Sequence, residues 1–162
     1  VKTVWMISGN KGGVGKSLFC LALASALERR GELFSVLDGD GRTRDVYASF
    51  ARKVPARWAD FRQLRPDSPN CRQDEVYEGI VHSLLKTSQH LIVNTPDGAD
   101  SLLMQWFDIT LKHTESANHQ FKFAYLMSDR PDGLDLLGEL RERFAALYPI
   151  RNLFFGPAER FA

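Results

Sequence analysis

Residues 9–17 read Gly9-Asn10-Lys11-Gly12-Gly13-Val14-Gly15-Lys16-Ser17, and no other stretch restricts the fold as tightly. A short apolar run, Thr3-Val4-Trp5-Met6-Ile7, leads into it, and a longer one, Leu18 to Leu27, leads out. The first has strand length and the second has helical spacing, so the glycines stand in a strand-to-helix turn. A turn of that kind gathers anions. Glycine lets successive backbone N–H groups converge on one point, and the helix start adds free N–H groups and the positive end of a dipole. In such a phosphate-binding P-loop, Gly12, Gly13, Val14 and Gly15 would cradle phosphate, Lys16 would reach the β- and γ-phosphates, and Ser17 would ligate Mg²⁺.

The common form of the motif, G-x-x-x-x-G-K-[ST], would put its first glycine at position 10, where this chain has Asn10. What stands here is Lys-Gly-Gly-x-Gly-Lys-Ser, with a second lysine at Lys11. This resembles the deviant Walker A motif of the MinD/ParA ATPases. The resemblance implies that ATP is the nucleotide and that Lys11 reaches into the site of a second subunit.

The second strand of the sequence, Leu33 to Leu37, runs into Asp38-Gly39-Asp40-Gly41. Carboxylates at the carboxyl end of a parallel strand, beside a P-loop, stand where metal and water chemistry is done. An Asp/Gly turn following a strand by chance is the competing reading. In the resembled family, Asp38 would help hold the magnesium shell and Asp40 would position the attacking water. The third strand and its exit, His90-Leu91-Ile92-Val93-Asn94-Thr95-Pro96-Asp97-Gly98, resemble the family's apolar strand followed by Asp-x-Pro. Here Asn94 takes the place of the acid. An amide can hydrogen-bond a metal-bound water but brings no negative charge. The departure puts the rate of hydrolysis in question more than the binding of nucleotide. Asp97 could substitute only if the loop folds back.

The remaining elements alternate. A helix is expected over residues 16–30, with Phe19, Leu23, Ala26 and Leu27 inward, Arg29 and Arg30 in the last turn and Gly31 as its cap. Short helix over 43–53, possible edge strand within 56–64, helix over 74–85 and helix over 99–116 follow. A strand over 121–127, a helix over 134–147 and a strand over 150–155 complete the pattern. Strands alternating with helices give an α/β fold, a parallel sheet with helices on both faces. The resemblance adds that the strand ending at Asp38 is outermost, followed by the strand ending at Asn94 and then the P-loop strand. It also suggests Asn152 as an amide that reads adenine. No Asn-Lys-x-Asp guanine signal is present.

With 162 residues the chain suits one domain with a sizeable core. The resemblance makes it a trimmed or unusually short member, without the C-terminal amphipathic membrane helix of MinD-type proteins. No apolar run approaches the ~20 residues needed to span a bilayer. Two cysteines, Cys20 and Cys71, make no disulfide framework, so a reducing, cytoplasmic setting is expected. The net charge of +1 is neutral on the question of nucleic acid. Arg42, Arg44, Arg52, Lys53, Arg57, Arg62, Arg65 and Arg72 crowd one stretch, a solvated face or a surface for an anionic partner. His82, His90, His113 and His119 show no metal-ligand spacing.

The expected function is an ATP-dependent homodimer switch, nearest to plasmid- or mobile-element-borne members of TraL or partition type, with DNA or a protein complex as cargo. Two alternatives stand beside it. One is a P-loop kinase for a small molecule or protein, which Lys11 disfavours. The other is a nucleotide-binding assembly module that hardly hydrolyses, which Asn94 favours.

Overall fold

A computed structural model describes residues 2–9, 11–61, 84, 86–97, 119–129 and 134–161. Strand β1 is Thr3–Gly9, apolar toward both faces, followed by helix α1, Lys16–Arg29. Then come β2 (Phe34–Asp38), α2 (Asp45–Phe50), β3 (Ala56–Trp58), β4 (His90–Asn94), β5 (Gln120–Met127), α3 (Leu134–Arg143) and β6 (Leu147–Arg151). Two 3₁₀ turns, Leu153–Phe155 and Ala158–Phe161, follow. The expected helices over 74–85 and 99–116 lie almost wholly outside the described residues.

The six strands form one sheet in the order β3-β2-β4-β1-β5-β6. Every pairing is parallel, as the alternating pattern requires. Two apolar layers cover it. Ile7, Ile92, Val36 and Ala124 face Cys20, Ala24 and Leu27 of α1 and Val46 and Phe50 of α2. Met6, Val93, Phe123 and Tyr125 pack with Leu140 of α3 and with Phe144 on the other face. The parallel sheet flanked by helices on both faces is thus observed.

Three expectations need correction. The strand that ends in Asp38 is not outermost, because β3 pairs beyond it through Val36–Ala56, Leu37–Arg57 and Asp38–Trp58. The sequence had allowed a short edge strand there, and it forms only over three residues. In α1 the fully buried side is Lys16, Cys20, Ala24 and Leu27, while Phe19 and Leu23 pack at its margin. Small residues lie directly over the sheet because they let the helix approach β1 and β4 closely. Finally, the last strand starts at Leu147, not at 150. Just beyond the end of α3 at Arg143, Phe144 still donates its N–H to the Leu140 carbonyl at 2.9 Å and stacks on Phe121 and Phe123, with ring centroids 5.5 and 5.4 Å away. Pro149 is tolerated in β6 because that strand is an edge.

The cap of α1 follows expectation. Gly31 has φ +70°, and the N–H groups of Gly31 and Glu32 donate to the Glu28 and Leu27 carbonyls. His90, at the opposite end of the sheet from the P-loop, sits 2.5 Å from Glu32 through its Nε2. No helix among the described residues is long and apolar enough to cross a membrane.

Candidate nucleotide site

The site lies at the carboxyl ends of β1, β2, β4 and β5, where the crossover loops converge. β1 ends at Gly9, the described part of the loop is residues 11–15, and α1 begins at Lys16. Gly13 and Gly15 have φ of +74° and +103°, a region that side chains other than glycine adopt at a cost. With Gly15 left-handed at the N-cap, no side chain caps the helix, and its first N–H groups are not claimed by a cap side chain. Val14 is fully buried beneath the loop and anchors it to the α1 side of the sheet.

Lys16 is only 7% exposed, unusual for a lysine, and its ammonium has two partners. It donates to the Lys11 carbonyl at 3.2 Å and pairs with the carboxylate of Asp97. The same carboxylate lies against Gly12, where an added Cβ would fall 2.6 Å from its Oδ2. The loop after β4 therefore does fold back onto the P-loop. Its root is fixed, since Thr95 donates through N and Oγ1 to the Ile7 carbonyl at 3.1 and 2.9 Å.

Asn94 is 2% exposed and lies deeper. Its Nδ2 donates to Asp38 Oδ1 at 3.0 Å, and its Oδ1 faces the Cys20 thiol at 3.7 Å. Asp38, fully buried, also accepts from the Asp40 N–H at 3.2 Å and, through Oδ2, from the Tyr47 N–H at 2.9 Å. A buried carboxylate needs such donors. Burial, with the Asp38 charge adding to it, pushes the Cys20 thiol well above its usual range. Cys20 is a fully buried small residue of α1, and it is also the far end of a buried polar chain from α1 to β2.

Asp40 occupies the turn after β2. Its carboxylate accepts from the Arg42 N–H at 2.9 Å and from the Thr43 hydroxyl at 3.2 Å. Its carbonyl accepts from the Trp58 indole at 3.0 Å, and the Arg44 guanidinium carbon lies 3.4 Å from the centroid of the Trp58 ring. Arg42, Arg44, Arg52, Lys53 and Arg57 are all exposed around α2 and β3. The rest of the basic stretch lies outside the described residues.

Asn152 closes the other side. It directly follows β6, its Nδ2 donates to the Val14 carbonyl at 2.8 Å, and its Oδ1 accepts from the Phe154 N–H at 3.1 Å. The amide therefore ties the end of the sheet to the P-loop. Phe155, three residues on, lies 5.2 Å from the Lys11 ammonium, centroid to Nζ. Ser17 is half-buried in the first turn of α1.

Lys11, Gly12, Gly13, Val14, Gly15, Lys16 and Asn152 thus share one loop and its rim, while Asp38 and Asn94 meet directly beneath. Sequence reasoning missed Phe155, Cys20 as partner of Asn94, and the Trp58 support of Asp40. All three depend on long-range contacts for which no local spacing exists. It named Asp97 only under a condition, and the condition is met.

Comparison with known proteins bears on the family and the fold. A family model described as ATPase MipZ matches residues 3–112. The protein MobD of Acidithiobacillus ferrooxidans is 22% identical over 163 aligned residues, covering 99% of this chain and 67% of its own length. A plasmid partition protein from Borrelia burgdorferi B31, solved with AMPPNP bound, superposes with a TM-score of 0.60 at 17% identity, over 93% of this chain and 75% of that one. A ParA family ATPase from Chlorobium tepidum TLS superposes with a TM-score of 0.56 at 14% identity, over 94% and 74% of the two chains.

Proposed function

Because the chain belongs to the ATPase MipZ family, we propose that it is an ATP-driven dimer switch that positions cargo, with plasmid DNA or a transfer complex the best candidates. The carrying observation is the seat itself. The nearly buried Lys16 ammonium pairs with the Asp97 carboxylate beside Gly12, so an anion already stands at the lysine that would meet phosphate. The plasmid partition and ParA-type neighbours support the cargo class.

In this reading, Gly12 to Gly15 bind the phosphates through backbone N–H groups, and Lys16 offsets their charge. Lys11 leaves Phe155 and crosses to the second subunit, where its ammonium neutralises charge developing on the transferring phosphoryl group. Asp40 orients the attacking water, and Asn152 holds the loop at the base side. Among the described residues no group of three or more His, Cys, Asp or Glu could hold a metal by itself. Mg²⁺ would be held by Ser17 together with the phosphates, with Asp38 and Asn94 ordering its water, and would supply Lewis-acid neutralisation of phosphate charge.

The Asn94 amide is already committed to Asp38 and Cys20. That favours slow turnover, and in the limit a nucleotide-binding assembly module. Phosphate release with and without DNA, alongside sedimentation with ADP and with a non-hydrolysable ATP analogue, tests the proposal. Slow release and ATP-specific dimers are expected. A chain that stays monomeric with the analogue at high concentration overturns the dimer switch, and rapid phosphoryl transfer to an added acceptor points to a kinase instead.

A further inference from the structure

We infer that Asp97 is a built-in competitor for the phosphate seat, and that it sets how tightly the chain takes up nucleotide. The inference rests on the nucleotide reading of the P-loop. Three observations carry it. First, the Lys16 side chain is 8% exposed, and a nearly buried ammonium requires a counter-charge, which the Asp97 carboxylate provides. Second, that carboxylate also lies against Gly12, the glycine that a phosphate oxygen would have to approach. Two anions cannot share this seat. Third, the pair is unequal: Asp97 is 51% exposed and can turn into solvent, while Lys16 is fixed by the sheet and by the Lys11 carbonyl.

An incoming phosphate therefore displaces Asp97 and keeps Lys16. Movement starts beyond Thr95, because Thr95 is tied twice to β1. The Asp97 carboxylate thus has two positions, one paired to Lys16 and one released into solvent, and nucleotide selects the second. The alternative role for Asp97, supplying the charge that Asn94 lacks, predicts the opposite effect of removing it. A metal-side carboxylate tightens Mg²⁺-nucleotide; a competitor weakens every phosphate ligand.

The experiment is calorimetric titration of the whole chain with ADP and with ATP, each with and without Mg²⁺, for wild type, Asp97→Asn and Asp97→Ala. A competitor gives affinities raised at least fivefold for both nucleotides, with or without metal, and more for alanine than for asparagine. Unchanged affinity, or affinity lost chiefly in the presence of Mg²⁺, overturns the inference. Asp97 lies half in solvent outside the packed layers, and circular dichroism checks that both variants keep the fold. Lys16→Ala separates the two claims. If it binds nucleotide as wild type does, the P-loop reading itself fails. If it binds weakly while Asp97→Asn is unchanged, only the competitor fails. Failure of both wild type and Asp97→Asn to bind any nucleotide overturns both.

Discussion

Replacing Asn94 by aspartate restores the acid that the family motif carries, and in the metal-free chain it should be costly. The substitution puts a carboxylate oxygen where Nδ2 now stands, 3.0 Å from Asp38 Oδ1, with both residues 2% exposed or less. Two full charges at that distance repel by about 5–6 kcal/mol at an effective dielectric of ~20. The pair can avoid this by keeping one proton between the two oxygens. Protonating an ordinary aspartate at pH 7 costs about 4 kcal/mol, three pH units at 1.36 each. The cheaper route sets the loss, so Asn94→Asp should lose ~4 kcal/mol at pH 7, against the 5–15 kcal/mol typical of a whole domain.

The sign of the pH dependence follows. The folded variant holds a proton that its unfolded chain has lost, so its folded-state titration lies above the unfolded one. The deficit is absent below the unfolded value near 4 and grows as pH rises, by about 1.4 kcal/mol per unit. Urea unfolding at pH 7 and pH 5 in the presence of EDTA, wild type against variant, should therefore show deficits of ~4 and ~1.5 kcal/mol. Mg²⁺ with ADP should recover part of the loss, and with ATP the variant should turn over faster or depend more sharply on Mg²⁺. A deficit below ~1 kcal/mol that does not change with pH would refute the reasoning, because it would mean that the Asn94–Asp38 contact is not a buried pair.

Three further outcomes are expected. Lys11→Ala should bind ATP as a monomer with little change in affinity, yet fail to dimerise and hydrolyse at least tenfold more slowly, read by sedimentation and phosphate release. Asp40→Asn keeps one oxygen for the Arg42 N–H and offers an N–H that the Thr43 hydroxyl can accept, while losing the charge, so nucleotide affinity should hold and turnover should fall; loss of binding with an unchanged rate would assign Asp40 to the turn alone. The Cys20 thiol, raised by burial and by Asp38, should resist iodoacetamide at pH 8.5 in the native state and react on unfolding. Its linked effect is a decline in native stability above pH ~8.5, as the unfolded thiol ionises and the folded one does not, and Cys20→Ala should remove that decline.

The sequence carried the P-loop because every constraint there is local. The glycines, Lys16 and the following helix lie within a few residues, and their geometry follows from chain stereochemistry. Strand and helix order was legible for the same reason, from runs of apolar residues read at two periods. What could not be read were choices made across the fold. The expected helix over 134–147 stops at Arg143, and Phe144 beside its end stacks on Phe121 and Phe123 of a distant strand. Whether Asp97 faces solvent or Lys16 depends on the path of the loop after Thr95, which β1 fixes from 88 residues away. Asn152 was named for its amide, but one of its N–H groups is spent on Val14, a contact that only β6 starting at Leu147 brings about.

The sheet order has a consequence for how the chain is made. β1 precedes the other strands of the sheet in sequence, yet it sits between β4 and β5, whose residues are 90–94 and 120–127. It has no hydrogen-bonded neighbour in the sheet until β4 has been made. Until then a seven-residue strand, apolar on both faces and ending in the glycine loop, waits unpaired with both edges open. Parallel pairings of such long sequence separation form slowly, and exposed apolar strands invite association in the meantime. The P-loop residues thus hang from contacts that close late. Ligand added during refolding should raise the yield of native chain by capturing β1 once β4 and β5 have flanked it, even if it leaves the earlier collapse untouched.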